Sequence, residues 1–174
     1  MNEIIKSLEE RRSIRAYKSD MPKAEDIDKI IEAGLYAPTG MGYQKVIIIA
    51  VTDKETRDSL SEDNRAIAGL KEGADPFYGA PVVLVVLAAK DMRTHVYDGS
   101  LVMGNMLNAA HALGLGSCWV HRAKEEFEME KWQNLLKKLG IEGEWEGIGH
   151  CIVGYPDGEA PKAAERAAGR VYKI

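Results

Sequence analysis

The sequence predicts an α+β fold, a sheet sandwiched between helices, on three observations. Short runs of β-branched and apolar residues read as strands, and segments with a repeat near 3.6 flank them as helices. Helices do not follow every strand, as they would in a parallel βαβ chain. A length of 174 residues suits a single domain, taken as residues 1–174. Such a domain buries about 70% of its unfolded surface, so neither disulfides nor a structural metal is required.

The elements follow in order. Asn2 to Glu10 places Ile4, Ile5 and Leu8 on one face and reads as a short helix. Lys23 to Leu35 repeats the pattern through Ile27, Ile30 and Ile31, and stops at Gly34 and Pro38. Val46 to Val51 is a β-branched run, expected to be a buried strand. Asp53 to Leu60 and Asn64 to Gly73 read as two short surface helices. Pro81 to Ala89 is the clearest buried strand, apolar at every position that could face either layer. Tyr97 to Leu113 is a long helix carrying Leu101, Met103, Met106 and Leu107, closed by Gly114. Gly116 to Val120 is a short strand, Lys124 to Leu139 one amphipathic helix, and Ile148 to Tyr155 a last strand. A polar tail then ends in Val171-Tyr172-Lys173-Ile174. An apolar terminal strand after so much polar chain suits an arm reaching a partner subunit, so residues 156–174 are expected to exchange between copies.

The composition, 45% hydrophobic and 29% charged, is that of a soluble globular protein. A net charge of −4 gives no general attraction to nucleic acid or anionic lipid, so neither is an expected partner. The apolar run Ala80 to Ala89 is far short of the roughly 20 residues of a membrane helix. The first residues carry Glu3, Glu9 and Glu10 without an apolar run, unlike a signal peptide, and the expected compartment is the cytoplasm. Cys118 and Cys151 sit in apolar contexts and are expected to be reduced and buried. The histidines show no metal-ligand spacing with them, and His121 has no partner at a triad spacing.

Four segments can carry chemistry. Arg11-Arg12-Ser13-Ile14-Arg15 offers cations and a hydroxyl suited to a phosphate monoester; its alternative is a solvated basic helix end. Read as extended chain, it puts Arg11, Ser13 and Arg15 on one face. Pro38-Thr39-Gly40-Met41-Gly42-Tyr43-Gln44 lets backbone approach a planar ligand whose edge Thr39 and Gln44 could bond; the alternative is a plain turn. Gly114 to His121 is either a helix cap and core strand or a small-residue ligand wall. Lys162, Arg166 and Arg170 are either an exposed face or a second phosphate-binding arm. Phe77 and Tyr78 stand between a substrate wall and a structural role, while Trp132 and Trp145 read as packing residues.

Taken together and in order, these segments resemble the nitroreductase family across essentially the whole chain. The Arg-Arg-Ser-x-Arg stretch falls on Arg11, Arg12, Ser13 and Arg15. The Ala-Pro-Ser-x-x-Asn-x-Gln-Pro motif falls on Ala37, Pro38, Thr39, Gly42 and Gln44, and Gly-Leu-Gly-Ser-Cys-Trp and Gly-Tyr-Pro are present. The sequence departs from the family in Thr39 for Ser, Gly42 for Asn, Lys45 for Pro and Ala167 for a basic residue.

The resemblance implies a three-layer sandwich with a mainly antiparallel sheet, an intertwined homodimer with an exchanged C-terminal strand, and FMN at the subunit interface. It places the FMN phosphate at Arg11, Ser13 and Arg166, with Arg12 along the phosphate or ribityl chain and Arg15 near the pyrimidine. Pro38, Thr39, Gly40, Gly42 and Gln44 would meet the ring from the other subunit, and Cys118 and Trp119 would line it. Asn64 is a candidate for an amide replacing the one missing at Gly42. The implied activity passes two electrons from NADH or NADPH through flavin N5 to a nitroaromatic, quinone or flavin acceptor, ping-pong, with no catalytic side chain. Dehalogenation, dehydrogenation of a precursor or a non-enzymatic redox module are the alternatives that the same fold would host.

Overall fold

Four strands form one antiparallel sheet in the order β1-β2-β4-β3 in the computed structural model, which describes residues 2–174. The strands are β1 (Val46–Val51), β2 (Val82–Ala89), β3 (Gly116–Val120) and β4 (Trp145–Gly154). The helices are α1 (Glu3–Glu10), α2 (Ala24–Leu35), α3 (Lys54–Ile67), α4 (His95–Ala112), α5 (Ala123–Phe127) and α6 (Glu130–Lys138).

Strand alternation sorts the core into two halves. Val82, Leu84, Val86 and Ala88 of β2 pack with Ile30 of α2 and Val102, Met103 and Met106 of α4. Val83, Val85 and Leu87 pack instead with Leu60 of α3, Phe127 of α5 and Trp132 and Leu136 of α6. The sheet is therefore the middle of three layers, and every residue of β2 is buried. An antiparallel strand covered on both sides loses the polar alternation expected of a half-exposed one, hence its unbroken apolar run. Along β4 the register shifts where Val86 faces Gly149 and Leu87 faces Gly147, leaving Ile148 as the extra residue of a bulge.

Three sequence expectations are corrected. β1 lies at the sheet edge, with Ala50 exposed and Ile47 to Ile49 only half covered, so it is not a fully buried strand. The two short helices expected over 53–60 and 64–73 are one continuous helix, α3, capped by the Asp53 carboxylate accepting from Thr56 N–H at 2.8 Å. Its inward stripe is Arg57, Leu60, Ser61 and Asn64, helical in spacing but mostly polar, which hides it from a hydrophobic-period reading. The helix expected over 124–139 breaks at Met129, whose extended backbone separates α5 from α6. On one continuous helix Phe127 and Trp132 would point roughly 140° apart. The break lets both enter the same core, with ring centroids 5.9 Å apart.

The segment from 69 to 80 carries no helix and is tied to α3 through Asp75. Its carboxylate accepts from Ser61 Oγ at 2.7 Å, Phe77 N–H at 2.9 Å, Gly79 N–H at 2.7 Å and the Arg57 guanidinium. Burial alone would raise the Asp75 carboxyl, but these bonds hold it below the ordinary carboxylate range. A folded value below the unfolded one stabilises fully above the ordinary carboxylate pKa and is lost as pH falls through the folded value. Asp75→Asn is thus expected to remove about 2 kcal/mol at neutral pH and to flatten the acid limb of the stability profile. Urea midpoints from neutral into acid pH measure both.

Beyond β4 the chain leaves the sheet. Residues 157–174 are exposed and contain neither helix nor strand, so Val171 to Ile174 forms no strand within a single chain. Among the described residues, no helix is long and apolar enough to cross a membrane.

Candidate functional site

The basic segment after α1 runs extended along the open end of β3. Ser13 pairs with Ser117, and Ile14 N–H donates to the Ser117 carbonyl at 3.0 Å. Further on, Lys18 N–H donates to Tyr155 O at 2.9 Å and Asp157 N–H to Ala16 O at 3.0 Å. Ile14 packs against Gly116, where a Cβ would lie 3.0 Å from that of Ile14; no larger residue lets the strands approach so closely. Ile14 packs on the core, Ser13 is half-buried beside it, and Arg15 is exposed.

Tyr17 anchors the end of the segment, its hydroxyl donating to Ile14 O at 2.8 Å. Burial, with help from the nearby thiols of Cys118 and Cys151, pushes its phenol far above the ordinary value. Burial likewise raises the Cys151 thiol well beyond the reach of neutral pH, and both cysteines are free and buried.

The guanidiniums differ in their commitments. Arg12 Nη1 donates to Glu9 O at 2.7 Å and to Arg11 O at 2.8 Å, sealing the carboxyl end of α1. Arg11 Nη1 is buried and has no hydrogen-bond partner. A buried donor of a permanent cation is favourable only when it meets an acceptor, so this one is available to an anion. Arg15 is exposed. Arg166 lies in the exposed tail, bonded to its neighbour Ala164 O at 3.1 Å and 2.5 Å, and is not drawn to Arg11 within this chain.

The glycine loop is a separate cluster. Thr39, Gly42, Gln44 and Pro38 line a shallow cavity of about 500 Å³ with Leu35 and Tyr36. Its backbone is unusual: Met41 (φ 54°), Gly42 (φ 70°) and Gln44 (φ 53°) all take the left-handed region. Local bonds hold it, with Gly42 N–H on Thr39 O at 3.0 Å and Gln44 N–H on Thr39 Oγ1 at 3.0 Å. A longer one reaches α4, Gly40 N–H donating to Asp98 Oδ1 at 3.0 Å.

These two clusters lie at opposite ends of the molecule. The loop is tied to the first turn of α4, while Ser13 is tied to β3, which follows the last turn. From Asp98 to its last residue, Ala112, α4 runs about 21 Å. The loop also leads into edge strand β1, and Ser13 pairs with the opposite edge strand β3. The two clusters of one chain are thus attached at opposite ends of α4 and at opposite edges of the sheet.

Cys118 and Trp119, being consecutive in a strand, face opposite layers. Cys118 joins the α3–α5–α6 half of the core, and Trp119 packs on the α4 half over Gly149, where a Cβ would meet its Nε1 at 2.4 Å. Their side chains do not share one wall. Asn64 is fully enclosed, its amide donating to His121 O at 2.8 Å, which makes it a brace between α3 and the chain after β3. Phe77 is core, its ring tilted 48° against that of His150, and Tyr78 is 41% exposed at a turn.

Sequence reasoning missed two features. Asp98, with Thr94, fixes the glycine loop; an acid in a first helical turn is legible, but its partner 58 positions away is not. Glu126 and His150 form a fully buried pair, Nε2 to Oε2 2.6 Å, that no local pattern announces. Among the described residues there is no cluster able to hold a metal ion.

Residues 8–155 match the sequence model of the Nitroreductase family. A Bacillus subtilis (strain 168) protein named FMN reductase [NAD(P)H] is 33% identical over 67% of this chain, and the match spans about half (53%) of that protein's length. The iodotyrosine deiodinase of Thermotoga neapolitana is 29% identical over 87% of this chain and 88% of its own. Among solved structures, the nitroreductase with bound FMN from Bacteroides fragilis NCTC 9343 superposes with a TM-score of 0.91 at 27% identity, covering 100% of both chains.

Proposed function

Because the chain belongs to the nitroreductase family, we propose that it is an FMN-dependent oxidoreductase acting as a homodimer, with NADH or NADPH as donor. The observation that carries this reading is the buried, unpartnered Arg11 Nη1 two positions before the half-buried Ser13. In a chain of net charge −4, such a local cation and hydroxyl would suit an anion, and the FMN phosphate is the anion the family reading supplies.

The opposed positions of the two clusters support two copies. Arg11, Ser13 and Arg15 of one subunit would hold the phosphate and pyrimidine, and Pro38, Thr39, Gly40, Gly42 and Gln44 of the other would meet the ring. The surface supports this too. No residue of α1 is buried; Ile5 is exposed, and Ile4 (72% exposed) and Leu8 line a groove with Asn105, Asn108 and Ala109 of α4. An apolar helix face left in water calls for a partner. In that dimer residues 156–174 would cross to the other subunit, bringing Arg166 to the phosphate.

FMN, when bound, supplies two-electron chemistry at its N5, so the chain need contribute no nucleophile or general base. Arg15 would place a cation near the pyrimidine, favouring the reduced, anionic ring. Cys118, buried on the far layer, would act on the ring only through the strand that carries it. Donor and then a flat, electron-poor acceptor (nitroaromatic, quinone or flavin) would use one slot in turn. The likeness to the deiodinase favours reductive dehalogenation as the second reading. Against it, the pinned segment 69–80 has little free chain to fold over a ring as a lid.

A visible absorption spectrum of the purified protein, identification of the released flavin, and native mass test the proposal. The expected result is a yellow dimer that releases FMN and oxidises NADH or NADPH with a quinone or nitroaromatic. A colourless, folded protein that refuses added FMN ends it; reduction of a halophenol alone favours the second reading.

A further inference from the structure

We propose that Asp98 and Thr94 are positioning residues that hold the glycine loop in the shape FMN requires; the inference rests on the FMN reading above. The loop is held against its own preferences. Met41 and Gln44 sit in left-handed conformations that residues with a Cβ adopt rarely, and with Gly42 they fall within four positions. Such backbone persists only where the surroundings over-determine it.

The surroundings here are the Thr39 bonds to Gly42 and Gln44 within the loop and, tying Gly40 to α4, a buried carboxylate. Asp98 is 5% exposed, and each of its oxygens is used once: Oδ1 accepts from Gly40 N–H at 3.0 Å and Oδ2 from Thr94 Oγ1 at 3.0 Å. Thr94 also accepts Asp98 N–H through its carbonyl at 2.8 Å, so the brace is rigid at its root. Contact closes it from the other side. A Cβ at Gly40 would meet Thr94 Oγ1 at 2.3 Å, so only glycine brings its amide down onto the carboxylate. The acid stands in the first turn of α4, where the helix dipole also favours it.

Function follows from preorganisation. A loop that must adopt three left-handed residues on its own samples that shape for a fraction of the time, and ligand affinity falls by that fraction. The bond to α4 removes this loss before FMN arrives. Its geometry, not its charge, is what matters: an asparagine could still accept Gly40 N–H and would reverse only the hydrogen bond with Thr94.

The test is FMN titration of apoprotein by fluorescence quenching, with hydrogen exchange at the Gly40 amide and native mass. Asp98→Ala is expected to weaken FMN about tenfold or more, with a dimer retained and Gly40 protection lost. Asp98→Asn is expected to bind within about threefold of the natural protein. Should Asp98→Ala not fold, Gly40→Ala makes the same test from the loop side, and adding Thr94→Ala should restore part of its lost affinity. Wild-type chain that does not bind FMN overturns the functional reading and, with it, this role. Wild-type binding with an unaltered Asp98→Ala or Gly40→Ala overturns the role alone, as does an Asp98→Asn no better than Asp98→Ala.

Discussion

Arg11→Ala is expected to weaken FMN binding about 100-fold while leaving riboflavin binding nearly unchanged, because a bidentate guanidinium–phosphate contact is worth roughly 1.5–3 kcal/mol per hydrogen bond. Riboflavin carries the same ring and ribityl chain without the phosphate, so the pair of ligands isolates what the guanidinium does. The apoprotein should behave differently from most truncations. Arg11 Nη1 is buried and bonded to nothing, so its removal strands no partner. Thermal stability of Arg11→Ala without cofactor is therefore expected to equal or exceed that of the natural sequence. Calorimetric titration with both flavins, and a melt of the apoprotein, give the three numbers required. Equal losses for FMN and riboflavin would move Arg11 away from the phosphate and sink its assignment.

Glu126→Ala is expected to remove about 3–5 kcal/mol of stability, a large share of the roughly 5–15 kcal/mol available to a domain of this size. Glu126 on α5 and His150 on β4 are both 0% exposed, with Nε2 and Oε2 2.6 Å apart. Both are closed off from bulk solvent, and His150 is further enclosed by Phe77 at a centroid distance of 5.2 Å. Removing the carboxylate leaves the imidazole without any polar neighbour to replace it. The paired replacement Glu126→Leu with His150→Leu should recover all but about 1 kcal/mol, since an apolar pair of similar volume meets no desolvation penalty. Urea denaturation of the apoprotein at one fixed protein concentration compares the variants on equal terms. A double variant as unstable as the single would mean that the pair contributes more than its own contact.

The helices and strands legible in the sequence are those whose period is written in apolar residues. β2 is a continuous apolar run, α2 carries Ile27 and Ile30 inward, and α4 ends at Gly114, which takes φ 75°. What escaped was structure made by polar residues. α3 turns Arg57, Ser61 and Asn64 inward, so its buried stripe looks like surface until Asp75 and the His121 carbonyl are placed against it. The α5–α6 break escaped for a related reason. Both halves are helical by composition, and only the shared pocket of Phe127 and Trp132 requires a turn between them.

At the site, residue types were legible and relationships were not. Arg11, Ser13 and the glycines stood out because a phosphate needs cations and a planar ligand needs bare backbone. That Arg12 seals a helix end, that Cys118 and Trp119 face opposite layers, and that Asn64 is enclosed depend on which way each side chain turns.

By itself the sequence determined the family, the α+β class, the order of the strands, the helices with an apolar period and the chemical types gathered in each segment. These are local properties: periodicity, backbone freedom and charge act over a few neighbouring residues. Only the tertiary structure decided that the basic segment and the glycine loop lie at opposite ends of α4, that Asp98 reaches the loop, and that Glu126 meets His150. Those facts depend on sheet order and on contacts between residues far apart in sequence, which no local preference encodes. Their energies arise only once the layers close and exclude water.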